Sequence, residues 1–321
     1  MKKTFQVIIS LLIGAGILYW YLSGFTSEEL LEIWKNIKNV EIKWLVLSLI
    51  MGLLSHIIRA YRWSYLLETL NYHPRKTNLV LTVGLSYLLN LVMPRAGEVG
   101  RAAALSKYEK GISFDKAFGT IVAERVADII FLLLFILLAL LLQFDFIYQL
   151  IEPKLPKSPL LLIAEIVLFL LIFYWIFKAF GRSHHPMILK IRGFIAGLLH
   201  GMSSILKLPN KWWFIIQTLI IWLLYLGMFW VVMPAFPEMK HLGFEAVIVG
   251  FIAGSLAMVI SNGGFGVYPV FVAAALSLYG VNKATGTAFS LLMWTAQTLL
   301  VIIFGLICLV LLPIVNKKPG V

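Results

Sequence analysis

The sequence predicts an all-α polytopic membrane protein with about six full transmembrane helices and two oppositely oriented re-entrant helical hairpins, the mark of an inverted repeat. Three observations lead there. Of the 321 residues, 61% are hydrophobic, and the mean hydropathy is +0.93. Apolar runs near or above the ~20 residues that cross a ~30 Å hydrocarbon core recur along the whole chain. Two of these runs, one in each half, are interrupted midway by Gly and Pro. No stretch is long enough to hold a separate soluble core, so residues 1–321 are expected to form a single transmembrane domain.

Full spans are expected at 5–23, 44–61, 118–142, 160–178, 212–233 and 285–312. The first follows a basic start, as a signal peptide would. Its apolar run from Phe5 to Leu22 is long for such a segment, and no small-x-small cleavage site follows, so it reads as a span. Regions 79–106 and 246–280 differ. Each opens with an apolar run (Leu79–Met93, Ala246–Ile260), breaks, and resumes as a second short run. Fifteen helical residues reach only ~22 Å, short of the core thickness, which suits a hairpin that enters and leaves on one side.

Charge bias sets the orientation. With the N-terminus inside, the inner segments hold more than twice as many Lys and Arg as the outer ones, which predicts cytoplasmic N- and C-termini. The first hairpin then enters from the cytoplasm and the second from outside, as an inverted repeat requires. The outer loop 24–43, with Glu28, Glu29, Glu32, Glu41 and Trp34, reads as an amphipathic connector. The inner segment 179–211 contains no acidic residue. It reads either as a helix on the inner leaflet or as an ordinary basic loop.

Several functions are disfavoured. The net charge of +12 follows from basic inner loops, and no basic patch with interleaved aromatics points to nucleic acid. The single Cys308 lies inside the last span as a small buried hydrophobe. The six histidines are scattered, so neither a metal site nor any other cofactor is expected. There is no phosphate-binding loop, nucleophile elbow or redox cysteine pair, and an enzyme is not expected.

The chemistry concentrates between Asn90 and Asp128. Pro94 ends the first half-helix, and Gly97 lets the backbone turn close to another group. The half-helix that follows starts inside the membrane, where free N–H groups and Arg95 attract anions. Glu98 and Arg101, three apart, share a helix face. Further on, Glu124 and Asp128 share one face of the next span, with Arg125 turned about 100° away. They can brace arginines of the hairpin or of the second span, touch the transported group, or do both. In the second span Arg59 lies deep enough to receive an anion, Arg62 is expected to snorkel to the inner interface, and His56 reads as a hydrogen-bonded helix histidine. The second break, Ser261-Asn262-Gly263-Gly264-Phe265-Gly266-Val267-Tyr268-Pro269, offers capping residues and glycines that expose backbone amides.

The run PRAGEVGRAAALSKYEKGISFDKAFGTIVAERVADI resembles the signature of the flippase-like membrane proteins, which include the transmembrane domain of lysylphosphatidylglycerol synthases. The matching features are Arg59 with Arg62-Trp63, then Pro94, Gly97, Glu98 and Arg101, then Glu124, Arg125 and Asp128, and a late Gly263, Gly264 and Gly266. The resemblance implies movement of a polar lipid between leaflets, through a cavity between inverted hairpins. Ser261-Asn262 and Tyr268-Pro269 depart from that family's usual prolines and glutamate around the late glycines, which bears on substrate choice. The soluble aminoacyl-transfer part of the synthases has no counterpart in these residues.

The expectation is therefore a lipid flippase or scramblase of a prokaryotic inner membrane. Its substrate site would comprise Arg59, Arg95, Gly97, Glu98, Arg101, Asn262, Gly263, Gly264 and Gly266, with Glu124, Arg125 and Asp128 as counter-charges or gates. Its partner would be a membrane phospholipid or an aminoacylated or glycosylated lipid, with a homodimer as an assembly open to it. Two other readings compete: a transporter of a soluble anion or lipid-linked sugar, and a non-transporting partner of an envelope-building enzyme.

Overall fold

The computed structural model describes residues 2–93, 95–143, 205–261 and 263–317, together with 167, 168, 178 and 189. Apart from those isolated positions, the expected span at 160–178 and the basic segment 179–204 lie outside the described residues, as do Glu165, Pro94 and Asn262. Among the described residues there are ten α-helices and no strand. They are α1 (Lys2–Ser23), α2 (Ser27–Lys38), α3 (Ile42–Glu68), α4 (Lys76–Val92), α5 (Ala96–Tyr108), α6 (Phe114–Leu142), α7 (Lys211–Val232), α8 (Phe244–Ile260), α9 (Val267–Ser277) and α10 (Lys283–Val315).

Among the described residues four helices are long and apolar enough to cross a membrane: α3, α6, α10, and α7 with the 3-10 turn that extends it to Ala235. Helix α3 runs past its expected end at residue 61 to Glu68, which matters for Arg62 below. On α7 the exposed Trp213 and Trp230 are seventeen residues apart, or ~26 Å of helix, so they can mark the two faces of a hydrocarbon core.

Both broken runs are helical hairpins. The first is α4–α5, with its break at 93–95; the second is α8–α9, with its break at 261–266. At the start of α4, Asn78 exchanges amide bonds of 2.8 and 3.0 Å with Asn316, just beyond the end of α10. The open end of the second hairpin lies at the other end of α10, where α9 leads through Asn282 into Lys283. The two hairpins therefore enter the bundle from opposite ends. Their tips meet: a β-carbon placed on Gly263 would lie 3.6 Å from Leu91 Cδ2.

The helix contacts carry an internal two-fold. Exchanging α3 with α7, α4 with α8, α5 with α9 and α6 with α10 maps each substantial helix–helix contact among these eight onto another such contact. Helices α3 and α7 pair with each other and run antiparallel. Ser48 donates to the Met228 carbonyl at 3.1 Å, Arg62 to Thr218 at 3.0 Å, and Asn210 to Glu68 at 3.3 Å, so one number rises as the other falls. An axis along the membrane normal would leave exchanged helices parallel. Antiparallel pairing requires an axis in the membrane plane, and the repeat is inverted.

The remaining elements brace this frame. Thr26 caps α2 reciprocally with Glu29, whose carboxyl the Thr26 backbone N–H holds below the usual carboxylate range. Helix α2 lies against the start of α10, where Asn36 donates to Thr285 at 3.3 Å. Cys308 packs buried against Gly84 of the first hairpin. Small residues let α3, α5 and α6 approach closely: Ala60, Ala102 and Ala117 are fully buried between them.

Candidate functional site

That close approach brings together the charges that the sequence places far apart. Glu124, 1% exposed, is the hub. Its Oε1 accepts from Arg59 Nη1 at 2.8 Å and from Arg62 Nη2 at 2.9 Å, and Oε2 lies 3.0 Å from Arg101 Nη2. One helical turn on, Asp128 Oδ2 accepts from Arg59 Nη1 at 2.7 Å, and Oδ1 lies 2.9 Å from Arg62 Nη1. Two carboxylates four residues apart on α6 thus hold two arginines of α3 and one of α5.

Neighbouring groups complete the setting. The Arg101 guanidinium stacks 3.8 Å from the Trp63 ring centre, and Trp63 Nε1 donates to Thr120 at 2.8 Å. Arg62 also donates to Thr218 of α7, and Arg59 Nη2 donates to the Tyr225 hydroxyl at 3.1 Å. Tyr87 of α4 lies beside that hydroxyl, oxygen to oxygen at 3.5 Å. Arg59 is fifteen residues past Trp44, or ~22 Å along α3. The cluster therefore occupies the half of the membrane at the C-terminal end of α3. Charges buried this deep are costly unless paired, and the pairing here is dense.

A second ion pair borders the buried cluster, with Arg125 Nη1 3.9 Å from Asp128 Oδ2. Arg125 Nη2 donates to Glu98 Oε1 at 2.5 Å, with Arg125 45% and Glu98 17% exposed. Arg95, at the hairpin tip in the left-handed region (φ 64°), is exposed and makes no ion pair among the described residues. In all, four arginines meet three carboxylates here, and Arg95 adds a fifth guanidinium outside the ion pairs.

Some expectations need correction. Arg62 does not snorkel to the interface; it is fully buried on Glu124 and Asp128, because α3 continues past it. Glu98 pairs with Arg125 on the neighbouring helix and not with Arg101, which turns inward to Glu124. His56 Nδ1 has no hydrogen-bond partner among the described residues; the ring packs 4.1 Å from Tyr87. The start of α5 is not an open anion cradle. The Gly97 N–H donates to Asn90 Oδ1 at 2.8 Å, and a β-carbon at Gly97 would lie 2.1 Å from the Ser86 carbonyl oxygen. The close approach expected at Gly97 is to α4.

The second break is closed in the same way. Gly263, Gly264 and Gly266 all have positive φ (62°, 78° and 75°), which L side chains resist. Ser261 ends α8 rather than capping α9; its hydroxyl donates back to the Ala257 carbonyl at 2.6 Å. Trp294 Nε1 donates to the Gly263 carbonyl at 2.8 Å. Gly14 of α1 presses against Gly266, so that what meets this glycine is another helix. Sequence reasoning missed Arg62, Tyr87, Thr218 and Tyr225 as members of the cluster. They are ordinary helix residues until tertiary packing joins them.

A family model described as lysylphosphatidylglycerol synthase TM region matches residues 7–305. Among curated proteins, a UPF0104 membrane protein of Pyrococcus horikoshii is 27% identical over 144 residues, 44% of this chain and 41% of that protein. A UPF0104 membrane protein of Methanocaldococcus jannaschii is 32% identical over 139 residues, 42% of this chain and 39% of that protein. The matches thus span about two fifths of the length of these relatives. No solved structure matches.

Proposed function

The chain belongs to the family of the lysylphosphatidylglycerol synthase transmembrane region, and from that premise and the geometry of its charges we propose that it moves a phosphate-bearing lipid between membrane leaflets. The observation that carries the reading is the excess of arginine over carboxylate, set within the membrane beside a broken hairpin. A structural brace needs charges that balance. Here cationic donors are left over for an anion.

Two further features support it. The tips of the inverted hairpins meet, which suits a device that opens to one leaflet and then to the other. The exposed arginines are flanked by exposed Val99 and Val122, so a ligand reaching them from the side carries apolar chains behind its polar head. That favours a lipid over a soluble anion. A prokaryotic inner membrane with both termini cytoplasmic fits the lysine bias.

The test is leaflet exchange of a fluorescent phosphatidylglycerol in liposomes containing the purified protein. Wild type should exchange lipid well above protein-free vesicles. Arg95→Ala, at an exposed position that makes no ion pair among the described residues, should slow exchange about tenfold, the scale of one lost charged contact. Wild-type exchange no faster than that of empty vesicles would sink the proposal.

A further inference from the structure

Among the seven ion-pairing side chains of the site Arg125 stands out by its exposure, with Glu98 beside it 17% exposed. Arg59, Arg62, Arg101, Glu124 and Asp128 are 12% exposed or less, whereas the Arg125 side chain is 45% exposed. The exposed stripe of α5 runs through Arg95, Val99 and Ala103, and that of α6 through Val122 and Arg125. Glu98 lies on the seam between them. The Arg125–Glu98 pair is thus set into an apolar surface that acyl chains can reach, while the inner cluster is sealed behind it.

We propose that the Arg125–Glu98 pair is an exchange site, in which the phosphodiester of a lipid approaching along the α5–α6 seam displaces the Glu98 carboxylate from Arg125. The inference rests on the function proposed above and reassigns its parts. The inner arginines are fixed by Glu124 and Asp128 and keep the helices in place; the outer arginine receives the substrate. Glu98 stands in for the substrate when none is bound, through one carboxylate oxygen, its Oε2 having no hydrogen-bond partner among the described residues. Displacement leaves Arg125 paired throughout, so its own guanidinium never faces hydrocarbon bare. Arg95, without an ion-pair partner on the same exposed stripe, offers the incoming phosphate a second positive group.

A competing internal anion makes an unusual prediction: removing it should tighten binding. Purified protein in detergent would be titrated with dioleoyl phosphatidylglycerol and retained lipid counted by native mass spectrometry, with glycerol phosphate as the soluble arm. Glu98→Gln should bind the lipid about fivefold more tightly than wild type, the scale of a half-exposed ion pair. Arg125→Gln should bind it at least fivefold more weakly. Retained lipid that is unchanged or reduced in Glu98→Gln overturns the proposal, and this variant decides the matter even if Arg125→Gln fails to fold. Glycerol phosphate binding as tightly as the lipid, with the same dependence on Arg125, overturns the lipid assignment in favour of a soluble anion. The two readings fail separately. Leaflet exchange without tighter binding by Glu98→Gln removes the exchange site alone, and tighter binding without leaflet exchange removes the transport function alone.

Discussion

Glu124→Gln is expected to be the most damaging charge substitution in the protein. Three guanidiniums converge on this one carboxylate, and it is 1% exposed. The amide keeps the shape but removes the charge, so Asp128 alone would hold Arg59 and Arg62, and Arg101 would lose the one ion pair it makes among the described residues. Breaking a buried pair from one side costs about 3–5 kcal/mol, because the stranded charge stays buried. Thermal unfolding of the detergent-solubilised protein should show a large drop in melting temperature. Glu98→Gln provides the contrast, since its half-exposed pair with Arg125 should cost less than about 1 kcal/mol. Equal melting temperatures for the two variants would mean that Glu124 is not the hub. The same pairing predicts that Arg59→Gln and Glu124→Gln together cost less than the sum of the two, because each removes what the other would leave unpaired.

How far this arrangement can be seen in the sequence depends on whether its cause is local. The hairpins are local: two apolar runs too short to cross, each ended by a break, predict α4–α5 and α8–α9 to within a few residues. The Glu124–Asp128 face is local as well, because four residues bring two side chains to one side of any helix. The choice of partner is not. Glu98 lies three residues from Arg101, and an isolated helix would pair them; in the bundle the antiparallel approach of α5 and α6 gives Arg101 to Glu124 and Glu98 to Arg125. Arg62 was misplaced for a related reason. Six residues of helix follow it to Glu68, about 9 Å, which carries it away from the interface. Nothing in the local pattern of α7 marks Thr218 or Tyr225 as partners of α3.

The inverted repeat adds a constraint that neither half shows alone. Its helices exchange, but its charges do not: α3, α5 and α6 carry the arginine cluster, while α10, the counterpart of α6, offers Trp294 to Gly263 and Gln297 to Ser48. A symmetric frame thus holds an asymmetric polar path, with ions in one half of the membrane and neutral hydrogen-bonding groups in the other. Two conformations related by the two-fold would be similar in backbone and different in affinity for an anion. That is the condition for a substrate to be gripped on one side and released on the other.

Gly266→Ala should be as harmful as any charge substitution, for a wholly steric reason. With φ at 75°, a side chain here is strained before it meets anything, at a cost of about 1–2 kcal/mol. Its β-carbon would then lie 1.9 Å from the Gly14 carbonyl oxygen, a backbone atom that no rotamer change can move. Either the tip of the second hairpin or α1 must shift. The tip is also held by Trp294 and touches Leu91 of the first hairpin, so the shift would spread to where the two hairpins meet. A loss of about 3 kcal/mol in thermal unfolding is expected, strain and overpacking together. Two glycines of α1 supply the control. Gly14→Ala meets Phe265 at 2.5 Å and should also be destabilising, whereas a β-carbon on Gly16 has nothing within 4 Å. Gly16→Ala should therefore be neutral or gain up to about 1 kcal/mol from helix propensity. If Gly14→Ala and Gly16→Ala melt alike, α1 does not rest on the hairpin tip in the membrane, and the tip is open to a ligand after all.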